Sequence, residues 1–582
     1  MKRYLALLIA LLWAVLMLSA CNDSAANPPE TQPPAETSVP ETAAPVADLV
    51  IVENGTANFP LIRADKGPKS EADAVSQLAK AIEIATGAYP ELSTDWIKPG
   101  EAYIPHTYEI LVGRTAYPQS AQVLENIPYG DYVVAAVGNK LVVNAWSPEG
   151  IQAAVAALTE TINASVENGR LALPGDLYLT GTAVESLNAL PSYPNADPST
   201  IFCLDKVDYL LVFPDATVDT YAAYCKTLSK AGFTLYTEND ITDNRFATYI
   251  TEDNTLTAGY YAYSNEIRLI VEPRGLLPTL QSDKVATGPM TPSFVFFGLG
   301  EEEDYRGGQS MLWQLSDGSY IVVDGGYNIA DNARQLYTHM RDNAPDPNNI
   351  TVAAWILTHP HGDHHGAFLQ FCKLYANRIK VEMFMGNFPG KDVREAGGLS
   401  DGMSSTKIIS YMTENFPGVP FLKNRVGQEL YIRDAKIEIL YTLDSYLPRT
   451  LTYLNTSSMI FTVEIGGQRF LITGDASQDG CLITHSMYGD YLKSDYVQIA
   501  HHGAGVGSST IKGLTSLYSA AEAPVVLWPS SMHAYNAYRG NAHNAHALRL
   551  ESTKEIIVAG DRVFRVSLPY TPGTSQQETI LK

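Results

Sequence analysis

Residues 358–366 read THPHGDHHG, and this stretch limits what the chain can fold into more than any other. It follows the apolar run 352–357, which is typical of a buried strand. Burying four imidazoles and a carboxylate without partners would be costly, and a cation would supply the partner. Of the 12 histidines, only His106 lies before residue 300. The stretch therefore predicts a metal site at the C-terminal end of a strand.

Two later strand ends carry the same residue types. Asp475 follows the apolar run 469–473 and a glycine, and His501 follows the apolar run 496–500. Both runs have the length and composition of buried strands. Ligands at three strand ends that are far apart in the sequence indicate a metal site at the edge of a sheet.

The spacing of these residues suits two cations. His359 and His361 lie two positions apart in an extended loop, so both rings can face one cation. Asp363 and His364 come one turn later and can serve a second cation. The two oxygens of Asp475 can bridge metal ions that lie about 3.5–4 Å apart. No cysteine occupies these positions, so the ligand set favours Zn²⁺, with Mn²⁺ or Fe²⁺ as alternatives.

The N-terminus has the pattern of an export signal. Lys2 and Arg3 precede the uncharged apolar stretch 5–18, which leads to LSAC and Cys21. This order resembles a bacterial lipoprotein signal peptide at 1–21, and an ordinary signal peptide is the alternative. The resemblance implies an exported chain that is lipid-anchored through the cysteine at the outer face of the cytoplasmic membrane.

The composition is that of a large globular chain with an acidic surface. The length of 582 residues predicts about three or four domains, and 45% of the residues are hydrophobic. Residues 22–47 are rich in Pro, Ala, Thr and Glu, so we expect a disordered linker there. The formal net charge of −23 repels phosphate backbones and disfavours nucleic acid as a partner.

Two small α/β modules are predicted ahead of the metal-site motif, at 48–185 and 200–280. The segments EILVG and GDYVVAAVGNKLVVNAWSPEGIQAAV resemble the small α/β domain that precedes catalytic domains in several glycoside hydrolases. No catalytic carboxylate pair is evident there, so the resemblance implies an accessory domain. In the second module, tyrosines alternate with polar residues, which is typical of half-buried strands. Contact with a glycan stays open for both modules.

Three motifs between residues 293 and 582 carry a family resemblance. They are Asp324 in YIVVDGG, H-x-H-x-D-H at 359–364, and Asp475 in FLITGDA. Together they resemble the metallo-β-lactamase superfamily of hydrolases, which implies a C-terminal αββα sandwich. The predicted fold class is therefore α/β, with this sandwich at 293–582 following the two small modules. The stretches GGQSMLWQLSDGSYIVVDGG, NTSSMIFTVEIGGQRFLITGDA and SDYVQIAHHGAGVGSS are similar to the competence-nuclease and phosphorylcholine-esterase branch.

The resemblance implies two divalent metal ions and a specific set of ligands. One ion would be held by His359, His361 and His501. The other would be held by Asp363, His364 and a late histidine, with Asp475 between the two ions.

The late histidine is the least defined of these ligands. The branch has Gly-His-Pro after the strand predicted at 525–528, and the nearest match here is GNAHN. That match selects His543, with Asn544 in place of the proline. His533 and His546 are the competing candidates.

Five further residues are expected to act around the metals. The resemblance implies that Asp324 accepts a hydrogen bond from the metal-site loop, and that His502 orients a neighbouring ligand. The stretch that leads to Asp475 begins with Asn455, Ser457 and Ser458. The resemblance implies that these three residues contact substrate. Simple turn chemistry is the alternative for these three.

The resemblance implies a metal-dependent hydrolase at the cell surface that cleaves a phosphodiester or a related ester. The metal ions would lower the pKa of water to provide hydroxide, and Asp363 could take up the proton. The alternatives are an extracellular nuclease of the DNA-uptake type and a non-catalytic carbohydrate-binding surface lipoprotein. A lactamase or lactonase is disfavoured, because no histidine lies between His365 and Asp475 and HHG follows at 501–503.

Overall fold

The computed structural model describes residues 46–97, 106–193, 197–284, 288–299, 308–399, 405–505, 512–560 and 562–582. The predicted signal peptide, Cys21 and nearly all of the predicted linker lie outside these ranges. Residues 48–582 form one compact unit, so the proposed domain boundaries within it stay predictions. Among the described residues, no helix has the length and apolar character needed to cross a membrane.

In its described residues, the first module contains two sheets and four helices. Its strands are β1 Leu49–Glu53, β2 Thr56–Ala57, β3 Leu61–Arg63, β4 Leu92–Thr94, β5 Glu109–Val112, β6 Asp131–Val137, β7 Lys140–Ala145, β8 Val166–Glu167, β9 Arg170–Leu173 and β10 Tyr178–Thr182. Its helices are α1 Lys69–Thr86, α2 Pro118–Gln122, α3 Pro148–Ser165 and α4 Glu185–Asn188. The sheet orders are β2-β1-β9-β8 and β10-β6-β7-β5-β3-β4. The apolar faces of α1 and α3 pack in one core with these strands.

The second module is one antiparallel sheet of six strands with a single long helix. The elements are β11 Thr200–Asp205, β12 Asp208–Phe213, α5 Val218–Lys230, β13 Thr234–Ile241, β14 Asn244–Ile250, β15 Asn254–Tyr261 and β16 Glu266–Pro273. The strand order is β11-β12-β16-β15-β14-β13. Thr217 and Thr220 cap the start of α5 reciprocally, which fixes where the helix begins.

The C-terminal part contains two eight-stranded sheets. Its strands are β17 Ser293–Phe297, β18 Ser310–Gln314, β19 Tyr320–Asp324, β20 Ile350–Ile356, β21 Ile379–Val381, β22 Phe384–Gly386, β23 Phe421–Lys423, β24 Glu429–Ile432, β25 Ala435–Tyr441, β26 Ile460–Ile465, β27 Gln468–Ile472, β28 Tyr496–Gln498, β29 Val525–Trp528, β30 Glu555–Val558, β31 Val563–Ser567 and β32 Ile580–Leu581. Its helices are α6 Ala330–Asn343, α7 Gly362–Tyr375, α8 Lys391–Ala396, α9 Ser405–Asn415, α10 Gln478–Tyr488, α11 Gly513–Ala521, α12 Met532–Tyr538 and α13 Ala542–Arg549.

These two sheets form the layers of a sandwich. The first has the order β23-β22-β20-β19-β18-β17-β31, with β21 paired to β20, and the second has the order β24-β25-β26-β27-β28-β29-β30-β32. A core that includes Trp313 of the first sheet and Phe461 and Phe470 of the second lies between them. Separate cores join each sheet to its own helices. The predicted α/β class and αββα arrangement are confirmed.

Gly427 lies at the contact between the second module and the sandwich. Its φ is +83°, and a Cβ added there would lie 2.1 Å from Cγ of Phe246. We expect Gly427→Ala to lower the free energy of unfolding by roughly 2–4 kcal/mol, through backbone strain and overpacking. Gly418 has a φ of +81° and no atom within 4 Å of an added Cβ, so Gly418→Ala isolates the backbone cost. Equal losses in urea denaturation would contradict the role of Phe246.

Candidate metal centre

The loop that carries the motif connects β20 to α7. The helix begins directly after His361, so Asp363 and His364 occupy its first turn. His359 is buried in the loop, and its ring centroid lies 4.7 Å from that of His361 and 4.2 Å from that of His364. The turn from strand to helix therefore brings the motif's side chains together.

The described residues provide two groups of side chains that could hold a metal ion, and both groups include Asp475. The first consists of His359, His361 and Asp475, and the second of Asp363, His364, Asp475 and His502. Within each group, the ligand atoms all lie within 4.8 Å of one another. Asp475 follows β27 and is fully buried, so the edges of both sheets contribute to one site.

The distances within this site are short. Nε2 of His364 lies 3.0 Å from Oδ1 of Asp475 and 3.2 Å from Nε2 of His502. Nε2 of His502 lies 3.3 Å from Oδ2 of Asp363. On the other side of Asp475, Oδ2 lies 3.7 Å from Nε2 of His359. Four side chains of the second group thus converge on one small volume.

The converging atoms are ring nitrogens and carboxylate oxygens, which can offer lone pairs to a cation. Nδ1 of His364 lies 2.7 Å from a carboxylate oxygen of Asp324, and Nδ1 of His502 lies 2.7 Å from the carbonyl oxygen of Pro529. Both partners can only accept, so both Nδ1 atoms donate, and in the neutral imidazoles each Nε2 has its lone pair available for a cation. Apart from the converging ligand atoms, Nε2 of His359 and both oxygens of Asp475 have no partner among the described residues, and all three atoms are buried. Metal ions would satisfy these atoms.

The electrostatics of the site favour positive charge. Burial lowers the pKa of His364, but Asp475 and Asp324 outweigh burial and raise that pKa well above its ordinary value. Burial also opposes ionisation of Asp475, yet His364 and His502 hold its pKa well below the usual range. Burial lowers the pKa of His359 well below its ordinary value, so this imidazole is neutral, the form that binds metals.

His501 and His502 lie in a tight turn after β28. Their φ angles are 53° and 55°, and Gly503 follows with a φ of 83°. Nε2 of His501 lies 3.9 Å from Oδ2 of Asp475, while its Nδ1 donates to the carbonyl of Gly505 at 2.6 Å. His501 therefore faces the first group, as expected for a ligand there. His502 was expected to act outside the ligand set, but the left-handed turn places it within the second group.

His543 does not join either group. Burial lowers its pKa, and its buried Nε2 has no hydrogen-bond partner in the part of the chain that the structure describes. His533 and His546 also lie outside both groups, and Nε2 of His546 is 2.7 Å from Oγ of Ser519. The structure thus offers His502 where the family pattern suggested a later histidine.

The segment around His543 instead supports the histidine turn. Asn544 is fully buried, and its Nδ2 donates to the carbonyl of Gly503 at 2.7 Å. Nδ2 of Asn541 donates to the same carbonyl at 3.1 Å. The two asparagines therefore hold the strained turn that presents His501 and His502.

We expect Asn544→Leu to weaken metal binding by about 10-fold to 100-fold, because the turn loses its buried donor. The dissociation constant can be measured by competition with a chromogenic chelator. Asn541→Leu removes the longer bond at a half-buried position and should have a smaller effect. Unchanged affinity in a folded Asn544→Leu variant would contradict this role.

Asp324 contacts the metal-site loop and not the ligand atoms. It is fully buried and accepts from the backbone N–H of Thr358 at 2.8 Å, from the Thr358 hydroxyl at 2.9 Å and from Nε2 of Gln309 at 3.0 Å. Gln498 in turn donates to Oε1 of Gln309 at 2.7 Å. Thr358, Gln309 and Gln498 were not singled out from the sequence, although all three lie within the quoted stretches.

The three residues expected to contact substrate are fully buried. The hydroxyl of Ser457 donates to a carbonyl within its own 3₁₀ turn at 2.7 Å, and Oγ of Ser458 accepts from the backbone N–H of Asp475 at 3.2 Å. Nδ2 of Asn455 donates to the Tyr453 hydroxyl at 2.9 Å, and Oδ1 has no partner among the described residues. The two serines therefore form hydrogen bonds to the backbone around the centre, and Oδ1 of Asn455 remains available as an acceptor.

Comparison with known proteins adds information on the C-terminal part. Residues 305–400 match the model of the metallo-beta-lactamase superfamily. No curated protein matches the sequence.

Several solved structures are similar to slightly less than half of the chain. The metallo-beta-lactamase fold protein YhfI from Bacillus subtilis is 15% identical, with 47% of this chain and 100% of that chain covered and a TM-score of 0.30. Zn(2+)-bound PqqB from Methylobacterium extorquens is 11% identical, with 47% and 100% covered and a TM-score of 0.31. Unliganded yeast PDE1 is 12% identical, with 48% and 100% covered and a TM-score of 0.31.

The matched range 305–400 contains the complete H-x-H-x-D-H motif and the strand end that carries Asp324. It also contains the junction of β20 and α7, from which the metal-site loop is built. The match to the metallo-beta-lactamase superfamily model therefore covers the segment of the C-terminal part that forms the metal-site loop.

Proposed function

We propose that the protein is a metal-dependent hydrolase that cleaves a phosphodiester or a related ester. The proposal rests on two groups of His and Asp side chains, both of which include the buried Asp475. Two divalent ions bound there would activate water and stabilise developing negative charge. Zinc is the preferred metal, with manganese or iron as alternatives. A carboxylate shared by two groups of His and Asp side chains fits a pair of divalent ions.

The side chains with remaining exposure define the open side of the centre. The side chains of His501 and Asp363 are 24% and 20% exposed, whereas those of His359, His364 and Asp475 are not exposed. Substrate would therefore approach past His501 and Asp363. Burial opposes ionisation of Asp363, but its hydrogen bond to His502 and the nearby imidazoles lower its pKa and keep it ionised. Its position on the open side makes it the proposed acceptor of the proton from water.

Two sequence features favour a phosphodiester over a lactam. No histidine lies between His365 and Asp475, and the ligands after Asp475 come from the paired histidines of 501–503. The net charge of −23 disfavours the DNA-uptake nuclease. The described residues include two groups of candidate metal ligands, which disfavours a non-catalytic carbohydrate-binding role.

We further propose that the enzyme acts at the cell surface. The basic residues, apolar stretch and Cys21 at the N-terminus support export and lipid anchoring to the outer face of the cytoplasmic membrane. The substrate would then be an ester on an extracytoplasmic molecule. Glycan contact by the two N-terminal modules is compatible with that location.

The proposal is tested by removing and restoring metal. Purified protein is treated with a chelator, reconstituted with Zn²⁺, Mn²⁺ or Fe²⁺, and assayed on bis-p-nitrophenyl phosphate, p-nitrophenyl phosphorylcholine, nitrocefin and single-stranded DNA. We expect the metal-free protein to be inactive and the reconstituted protein to cleave a phosphodiester. Turnover of nitrocefin alone would reject the phosphodiester assignment, and failure to bind any of the metals would reject the hydrolase.

A further inference from the structure

The second module is joined to the sandwich by two buried arginines. Arg268 lies in β16 of the module, and Arg425 lies in the loop between β23 and β24 of the sandwich. Arg268 is 8% exposed and Arg425 is fully buried. Both side chains meet the same short segment of the sandwich, at Asp444. A module that only carried a separate binding function would not need such contacts.

Arg268 binds the backbone of that segment directly. Its Nη1 donates to the carbonyl oxygens of Asp444 and Leu447, both at 2.8 Å. Its Nη2 and Nε bind Oε2 of Glu266 at 2.9 Å and 3.1 Å, which fixes the direction of the guanidinium. Hydrogen bonds from a charged donor are among the strongest in proteins. The module thus holds two carbonyl groups, three residues apart, in the segment that follows β25.

Arg425 holds the same segment through its side chain. Its Nη1 lies 2.8 Å from Oδ2 of Asp444, and its Nη2 lies 2.6 Å from Oε2 of Glu272 and 3.4 Å from Oδ2 of Asp208. Glu272 and Asp208 belong to β16 and β12 of the module. One buried guanidinium therefore bonds the module to Asp444. A hydrophobic cluster that joins module residues to Leu443, Leu447 and Leu451 surrounds these contacts.

The held segment, residues 443–459, continues to the metal centre. Ser458 accepts the backbone N–H of Asp475 at 3.2 Å, and the N–H of Met459 donates to the carbonyl of Thr358 in the metal-site loop at 3.1 Å. Oγ1 of Thr456 lies 3.0 Å from Oγ of Ser477. Segment 443–459 therefore contacts the arginines at one end and the backbone of Asp475 and of the metal-site loop at the other.

Asn455 marks the functional side of this segment. Its side chain is fully buried, and Oδ1 has no hydrogen-bond partner among the described residues. Its Nδ2 donates to the hydroxyl of Tyr453, whose pKa is raised by burial and by the charge of Asp475. The Tyr453 hydroxyl is therefore neutral and keeps its own proton for donation. Along the chain, both residues lie between Leu447, which contacts Arg268, and Ser458, which contacts Asp475.

We propose that the second module is a positioning element of the metal site, and that Arg268 is its positioning residue. By holding the carbonyls of Asp444 and Leu447, Arg268 fixes segment 443–459 and, through it, the placement of Tyr453 and Asn455 beside Asp475. The catalytic part of this inference depends on the proposed hydrolase function, but the structural coupling does not. The geometry gives the module a role within the enzyme that needs no ligand of its own.

The test compares Arg268→Met with Arg268→Lys. Methionine removes the guanidinium and with it the hydrogen bonds to the carbonyls of Asp444 and Leu447. Lysine keeps the charge but cannot reproduce the planar guanidinium geometry. Hydrogen–deuterium exchange is followed in peptides of 443–459, together with metal content, thermal unfolding and kcat/KM on the preferred phosphodiester. Arg274→Met is the control, because Arg274 is exposed and its Nη1 bonds only to the carbonyl of Thr251 within the module.

We expect Arg268→Met to exchange faster across 443–459 and to lose about 10-fold to 100-fold in kcat/KM, with both metal ions retained. Arg268→Lys should recover part of both effects, and Arg274→Met should match the parent. Unchanged exchange across 443–459 in Arg268→Met would overturn the proposal. If Arg268→Met does not fold, the same comparison between Arg268→Lys and the parent decides. If the parent has no metal-dependent turnover but Arg268→Met still exchanges faster across 443–459, the proposed function is rejected. The structural coupling between the module and segment 443–459 is then retained.

Discussion

Asp475→Asn is expected to abolish metal-dependent hydrolysis, with kcat/KM lowered by about 1,000-fold or more. Asp475 is the only described residue present in both groups of candidate ligands, and its two oxygens face opposite sets of imidazoles. Asparagine keeps the shape but removes the charge that balances two cations. Loss of a metal-based contribution of several kcal/mol to the barrier corresponds to about three powers of ten in rate.

The same variant should lose metal as well as activity. Elemental analysis after reconstitution is expected to fall from two ions per chain to one or none. Asp490→Asn is the matched control, since Asp490 is exposed on the same part of the chain and belongs to neither group. A folded Asp475→Asn variant with two bound ions and the parent rate would show that Asp475 does not bridge the metals.

The strand ends of the metal site could be predicted from local sequence. The runs that became β20, β27 and β28 are apolar and short, and each leads directly to its polar residues. His359, His361, Asp363 and His364 lie within six positions, so their proximity follows from chain connectivity. Asp475 required only the inference that separate strand ends meet at one edge of a sandwich.

The role of His502 could not be predicted in the same way. Its position depends on two consecutive non-glycine residues with positive φ, a conformation that local sequence seldom specifies. The turn is held by Asn544 and Asn541, which lie about 40 positions later. Only the tertiary fold makes that contact, and the family pattern, with a histidine near that point, indicated His543 instead.

The link between the second module and the sandwich was also beyond sequence reasoning. Arg425 and its partner Asp208 are separated by 217 residues, and Arg268 and Leu447 by 179. Neither pair has a spacing or motif that indicates contact. The sequence indicated the module's alternating strands. It did not indicate that one of these strands donates hydrogen bonds to carbonyl groups of segment 443–459.

Asp324→Asn is expected to lower both stability and metal affinity, because this buried carboxylate accepts four hydrogen bonds. The donors are the Thr358 N–H, the Thr358 hydroxyl, Nε2 of Gln309 and Nδ1 of His364. Asparagine can accept the left-handed φ of 57° found here, so backbone strain contributes little. It nevertheless presents an N–H₂ group where Oδ2 now receives three donors. At least one buried donor is therefore left without an acceptor.

We expect the free energy of unfolding to fall by roughly 2–4 kcal/mol, from the unsatisfied donors. Metal affinity should fall by about 10-fold to 100-fold, because His364 loses the partner that keeps its Nε2 lone pair directed at the centre. Urea denaturation of the metal-free protein isolates the first effect, and chelator competition measures the second. Asp331→Asn breaks only an exposed ion pair with Arg334 and should change neither quantity. If Asp324→Asn bound metal as tightly as the parent, the orientation of His364 would have to come from Thr358 alone, whose hydroxyl lies 3.4 Å from Nδ1.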